Sequence, residues 1–232
     1  MSDSGQTGSM CGRFATPDAQ EVVNAFDVRA VTTVLSPSLN LRPTQRVGIV
    51  IDDAEAARRE NRDVHRELRE ARWGLVPSWT KIFDKRLLLI NARAESVLSK
   101  PSFRSAIRQR RALVPATGYY EWVKNSDGTK TAFFLYDPDQ SCLGFAGLYE
   151  WWKAPEDLQF PGVEDGWLCS TTIITKAAVD ALGHIHDRMP VIIPSSMTDL
   201  WLDPRTTDPD QVDALLHSIP DPRLVPIERG PG

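Results

Sequence analysis

Met10-Cys11-Gly12-Arg13-Phe14 places a cysteine near the start of the chain, directly after a methionine. With Cys11 as first residue, one residue would carry both a thiol and a free α-amine, a bidentate trap for an aldehyde carbon. Ordinary pKa values of about 7.7–8.0 for an α-amine and about 8.5 for a thiol leave both nucleophiles partly available near neutrality, so little activation is needed. Three other segments carry groups that move or orient protons: Asn91-Ala92-Arg93-Ala94-Glu95, Gly118-Tyr119-Tyr120-Glu121-Trp122 and His184-Ile185-His186-Asp187-Arg188-Met189-Pro190. A carboxyl set between two aromatics, Glu121, suits proton transfer. Histidine is the side chain whose ordinary pKa lies nearest physiological pH, which fits His186 for a proton shuttle. The Asn91 amide could orient an amine or a sugar oxygen.

Each group has a structural alternative. A cysteine is commonly a small buried hydrophobe, although a position beside Gly12 and Arg13 near a terminus is a poor place for core packing. Glu121 on an alternating strand could simply face solvent. Asn91 could cap a following helix, which is compatible with an orienting role. A spacing of two puts His184 and His186 on one face only in a strand, and no third ligand accompanies them, so a metal is disfavoured. Trp73 and Trp122 are either core aromatics or contact surfaces.

The elements that must hold these groups can be read next. With 232 residues and 41% hydrophobic content, the chain can bury one substantial core, and one domain is expected. No uncharged run approaches the roughly 18 apolar residues of a membrane span. Residues 1–10 have neither a basic segment nor an apolar stretch, so a flexible tail on a cytoplasmic protein is expected. Cys11, Cys142 and Cys169 form no CxxC pair and are odd in number, which fits a reduced compartment.

A net charge of −4 argues against a protein that coats nucleic acid indiscriminately. Locally the balance reverses, since Arg72 to Arg111 holds ten basic residues against two acidic ones. Such a run is either a solvated face or a binding surface. The interleaving of Trp73, Trp79, Phe83 and Phe103 favours the second, because aromatics beside arginines stack on unpaired bases.

Thr16-Pro17-Asp18 predicts a helix start with Thr16 as N-cap and Pro17 at the first helical position. Residues 46–51 form a β-branched run, and 52–70, dense in mixed charge, reads as an exposed loop or insertion. Strands are expected at 72–77, 87–90, 111–116, 118–122, 131–136, 142–149, 168–175, 191–193 and 224–227. Helices are expected after Glu95, broken near Pro101, then from Thr175 to Leu182, at 196–202 and at 210–217. Many short strands with irregularly interspersed helices argue α+β: a single domain with a mixed or antiparallel sheet curled toward a barrel and flanked by short helices.

Taken together, Cys11-Gly12-Arg13-Phe14, Asn40-Leu41-Arg42-Pro43-Thr44, Arg72-Trp73-Gly74-Leu75, Asn91-Ala92-Arg93-Ala94-Glu95, Gly118-Tyr119-Tyr120-Glu121-Trp122 and His184-Ile185-His186-Asp187-Arg188-Met189-Pro190 resemble the SOS-response-associated peptidase (SRAP) family. The likeness runs from Cys11 to about Leu202. Members of that family process abasic sites in single-stranded DNA, and their mature chain begins at the cysteine, which joins the abasic sugar as a thiazolidine. The resemblance implies Cys11 as nucleophile, with Asn91, Glu121 and His186 as catalytic partners. It implies DNA contacts from Arg13, Asn40, Arg42, Pro43, Trp73, Arg93, Arg104, Trp122, Arg188 and Met189. Neither metal nor cofactor is expected. The expected partner is single-stranded DNA bound by a monomer, with replication-fork proteins as candidate associates and nucleoid association when DNA is bound.

The chain departs from the family in one respect: ten residues precede Cys11 where a single removable methionine is expected. Residues 1–10 are therefore read as an extension to be removed and 11–232 as the domain. Three other activities fit parts of the pattern. Cys-Gly at a mature N-terminus also opens class II glutamine amidotransferases, but the only Arg-Gly-Pro here is Arg229-Gly230-Pro231. A peptidase acting on its own extension is compatible with the first reading. The last is a non-catalytic single-strand binder.

Overall fold

The computed structural model describes residues 12–33, 35–53, 65–84, 88–140, 142–156, 160–178 and 185–231. In chain order the strands are β1 (Phe14–Thr16), β2 (Ala30–Val31), β3 (Ser38–Leu41), β4 (Arg46–Asp52), β5 (Arg66–Trp73), β6 (Asn91–Arg93), β7 (Arg111–Ala116) and β8 (Gly118–Lys124). They continue with β9 (Lys130–Tyr136), β10 (Leu143–Lys153), β11 (Val163–Glu164), β12 (Trp167–Ala177), β13 (Arg188–Pro190), β14 (Ile192–Ile193) and β15 (Val225–Glu228). The helices are α1 (Ala19–Phe26), α2 (Ala106–Gln109), α3 (Thr198–Leu202) and α4 (Pro209–Ser218).

Five strands close on themselves. β5, β4, β7, β10 and β12 pair in that order, all antiparallel, and β12 returns to β5 in parallel through Ser170↔Arg72 and Thr171↔Trp73. Closure removes the exposed edges of these long strands. Their residues alternate between two cores. Val47, Ile49, Ile51, Ala71, Trp73, Val114, Phe145 and Ile173 share one. Val50, Leu68, Leu113, Leu148 and Ile174 share the other with Val22, Phe26, Ile107, Trp201 and Val212 from the four helices. Burial on both faces explains why β4, β7, β10 and β12 read as largely apolar runs, while β5 is the charged exception.

A second sheet, ordered β15-β9-β8-β1-β3, packs Phe14, Leu41, Tyr119 and Leu135 into the first core. Gly118 lets β8 approach β9, since a Cβ there would stand 2.5 Å from the Leu135 carbonyl oxygen. The observed architecture is the expected α+β domain with a barrel-like core and short flanking helices.

Several local expectations change. α1 begins at Ala19, with Asp18 as N-cap and Glu21 completing a capping box, while Thr16 belongs to β1. The Asp18 carboxylate satisfies the Glu21 amide at 2.9 Å, a bond that Thr16 cannot make from within a strand. Residues 66–70, expected in a loop, form β5 because Arg66 finds Asp52, Asp199 and the Phe26 carbonyl, and Arg69 finds Glu67. Thr175 starts no helix; it lies inside β12, and residues 179–184 are outside the described residues. Around residue 95 only a 3-10 turn forms, Ala94–Ser96, before the short α2.

The basic run also divides. Arg111 is buried and donates to the carbonyls of Ile107, Arg108, Trp201, Asp203 and Thr206, tying the end of α2 to α3 and the loop beyond. Burial pulls its pKa down to about 10, still far above neutrality. Arg110 pairs with Glu150 at 2.9 Å, and Arg72 donates to the Gly74 carbonyl at 2.7 Å beneath the rings of Phe83 and Phe160. Gly74, at φ 124°, is required there, since a Cβ would stand 2.7 Å from Arg72 Nη1. Part of what reads as a basic surface is therefore internal scaffolding. Among the described residues no helix is long and apolar enough to cross a membrane.

Candidate functional site

β1 and β8 bring two of the motifs together. Phe14 pairs with Tyr119 and Ala15 with Gly118, and the Tyr120 amide donates to the Arg13 carbonyl at 2.9 Å. The chain at Arg13 thus runs antiparallel to the strand that bears Glu121. Alternation along β8 turns Tyr119 into the barrel core and Tyr120 with Trp122 to the other face. Glu121 is therefore on the core side, 3% exposed, and engaged. Trp122 is half-buried, with the Arg13 guanidinium 5.4 Å above its ring. Cys11 itself lies outside the described residues, as does His184.

The C-terminal end of β12 gathers the others. β6 pairs on one side through Ile173↔Asn91 and Thr175↔Arg93, and β13 on the other through Lys176↔Met189 and Ala177↔Arg188. Asn91 and His186 are half-buried, while Arg93 is exposed. The Arg188 guanidinium reaches across to form a two-point pair with Glu95, at 2.5 and 2.8 Å, and donates to the Thr175 carbonyl at 2.7 Å. The Arg188 hydrogen bond holds the Glu95 carboxyl below its usual pKa. Arg188 therefore braces β13 against the turn after β6.

Trp73 links the two groups from inside. Its indole N–H donates to the Ile90 carbonyl at 2.9 Å, directly before Asn91, and its ring meets Phe14 edge-on at 4.9 Å between centroids. Its backbone holds the 42–45 loop, accepting from Thr44 at 2.8 Å and donating to Gln45 at 2.9 Å. Expected as a DNA contact, Trp73 is fully buried, so its ring offers no surface to a ligand. The Met189 side chain is likewise buried, at 1% exposure. Arg42 is exposed and Pro43 and Asn40 half-buried around Leu41, which pairs with Phe14.

Of the four interleaved aromatics Trp79 is the exposed one, at 63%, in a segment with Lys81 and the exposed Ile82. Trp79 and exposed Arg104 line a groove of about 500 Å³ with Ser78, Pro101, Ser102, Ser105 and Glu150. Burial raises the Glu150 carboxyl pKa against the opposing pull of Arg110. The interleaving of aromatics and arginines signalled Trp79, but the pattern did not separate it from Trp73, Phe83 and Phe103. Base stacking on an aromatic is worth about 1–3 kcal/mol. Trp79→Ala is expected to weaken single-stranded DNA binding by roughly 5- to 150-fold without shifting the melting temperature; fluorescence anisotropy with a labelled oligonucleotide would measure it, and unchanged affinity would exclude Trp79 from the interface.

A second cavity, about 180 Å³, opens at the other end of β12, between the β2 and β12 registers on β5. Its three arginines are already engaged, Arg46 with Glu70 and Glu164, Arg69 with Glu67 and the Trp151 ring, and Arg72 with the Gly74 carbonyl. None of the expected site residues lines it.

The two described cysteines are buried, and burial pushes both thiols up to about 12. At pH 8 about one part in ten thousand of each would be thiolate. Iodoacetamide at pH 8 is expected to leave Cys142 and Cys169 unmodified in native protein over minutes and to label them after unfolding, read by peptide mass spectrometry; labelling of either in native protein would contradict the buried placement.

A closed five-strand barrel with a capping sheet defines a recognisable class. The chain belongs to the SOS response associated peptidase (SRAP) family, whose model matches residues 10–228. It is 34% identical over 211 residues to the abasic site processing protein YoqW of Bacillus subtilis, covering 90% of this chain and 87% of that one. It is 32% identical over 190 residues to the abasic site processing protein HMCES of Gallus gallus, covering 72% of this chain and 54% of that one. Crystal structures of a Bacteroides thetaiotaomicron protein (TM-score 0.73, 24% identity, 89% of this chain and 86% of that one) and a Bordetella bronchiseptica protein (0.72, 22%, 95% and 100%) share the fold.

Proposed function

We propose that this chain captures abasic sites in single-stranded DNA covalently, with Cys11 as residue one, and so protects the lesion during the DNA damage response. The observation that carries the reading is the bond from the Tyr120 amide to the Arg13 carbonyl, which runs the chain beside Cys11 antiparallel to the strand bearing buried Glu121. The names of the Bacillus and Gallus relatives, abasic site processing proteins, support it.

The ring-opened abasic sugar presents an aldehyde. The Cys11 α-amine adds to its carbon to give a carbinolamine, which loses water to an imine. The thiol sulfur then adds to the imine carbon, and its proton ends on nitrogen, closing a thiazolidine with net loss of one water. Glu121 supplies the proton for sugar opening and for the departing hydroxyl. His186 carries the thiol proton, and Asn91 orients the amine or a sugar oxygen. Exposed Arg42 and Arg93, with Arg13, meet the flanking phosphates. A single strand is favoured because extruding the sugar from a duplex costs a few kcal/mol. The α-amine exists only once the Met10–Cys11 peptide bond is absent, and we assign its removal to the same thiol acting as a self-processing peptidase.

Incubating protein that begins at Cys11 with an abasic oligonucleotide should give a species that survives denaturing electrophoresis, with the mass of protein plus DNA less one water. Cys11→Ala should give none. A mutant yield equal to wild type would remove the proposal.

A further inference from the structure

His186 lies between two neighbours that make opposite demands on one nitrogen. Its Nδ1 is 3.1 Å from the Arg188 backbone amide, which donates to it, and 2.9 Å from Asp187 Oδ1, which can only accept. One nitrogen cannot do both. With Nδ1 bare, it accepts from the Arg188 amide, and the neutral ring carries its proton on Nε2, as an acid does. With Nδ1 protonated, it donates to Asp187, and the Nε2 lone pair is free, as a base requires.

We infer that Asp187 is a positioning residue that competes with the Arg188 amide for His186 Nδ1 and so selects the base form of the ring. The Arg188 guanidinium does not draw Asp187 away, because Glu95 and the Thr175 carbonyl hold it. Asp187 is 85% exposed at its side chain, free to swing toward the ring and away, whereas His186 is 20% exposed and held. The inference rests on the proposed role of His186 in capture. There the thiol proton passes to Nε2 while Nδ1–H stays on Asp187, and the imidazolium then returns its Nε2 proton to the nitrogen of the closing ring. Without Asp187 the amide alone faces Nδ1, and the neutral ring is fixed as the Nε2–H form, which cannot accept at Nε2.

The test uses ring-¹⁵N-histidine protein, with the His186 signals among His65, His184 and His217 assigned by His186→Gln. Under conditions where the ring is neutral, wild type should populate Nδ1–H, and Asp187→Ala should move the ring to Nε2–H. Borohydride quenching, which traps the imine, separates imine formation from ring closure; closure should slow about tenfold in Asp187→Ala, with unchanged affinity for DNA carrying an unreactive tetrahydrofuran site. Unchanged ¹⁵N shifts, or a tautomer change with unchanged closure, or slower closure without a tautomer change, would each overturn the assignment of Asp187. Absence of any covalent product from wild type would instead overturn the capture reading, and the ring spectra of free protein would still decide the competition at Nδ1.

Discussion

Glu121→Gln is expected to slow covalent capture of an abasic aldehyde by about 10²- to 10⁴-fold, the usual contribution of a positioned acid–base group. The substitution keeps shape and removes only the titrating proton. Glu121 is 3% exposed on the core side of β8, so water cannot take over its place as proton donor. Binding should change little, because the residue faces inward while Arg42 and Arg93, the proposed phosphate contacts, are exposed. Rapid-quench time courses with an abasic oligonucleotide would give the rate, and a tetrahydrofuran analogue would give the affinity. A Gln variant within twofold of wild type would leave Glu121 a structural carboxylate.

Trp73→Ala is expected to cost about 3–5 kcal/mol of stability, as deletion of a large buried aromatic does. Two site-bearing segments lose a common support, Phe14 on the ring and Ile90 on the indole N–H, while the backbone bonds from Trp73 to the 42–45 loop remain. Trp73→Phe is the more informative change. It keeps a ring against Phe14 but removes the indole donor to the Ile90 carbonyl, which retains the Ile173 amide at 3.0 Å, so the cost is that of one hydrogen bond, about 0.5–1.5 kcal/mol. Capture should slow through Asn91, which follows Ile90, while affinity for DNA is retained. Urea denaturation and capture rates would check both variants. A Trp73→Ala protein of wild-type stability that no longer binds DNA would restore the contact role expected from the sequence.

The candidate residues were legible because the motifs are local. Gly118-Tyr119-Tyr120-Glu121-Trp122 alternates, so the strand could be read before any packing was known, while the side to which Glu121 turns stayed open until its burial was seen. The sheet-rich α+β class was legible for the same reason, since strand length and turn residues are properties of short windows. What a window cannot contain is the partner. Arg66 and Arg69 look like a charged loop until Asp52, Asp199 and Glu67 stand beside them. Arg111 looks like surface until five carbonyls surround it.

By itself the sequence determined which groups are available: a thiol near the start, a carboxyl between aromatics, an amide, an imidazole and an arginine-rich stretch. The tertiary structure decided which of them are buried and which reach the surface. The parallel return of β12 to β5 joins Ser170 to Arg72 across 98 positions, and no local preference specifies such a pairing. That closure buries Trp73 and leaves Trp79 outside, and β12 then carries Asn91 on one side and the His186 segment on the other. Burial and alignment of this kind are summed over the whole barrel, because a strand's inward and outward faces exist only once its neighbours are in place.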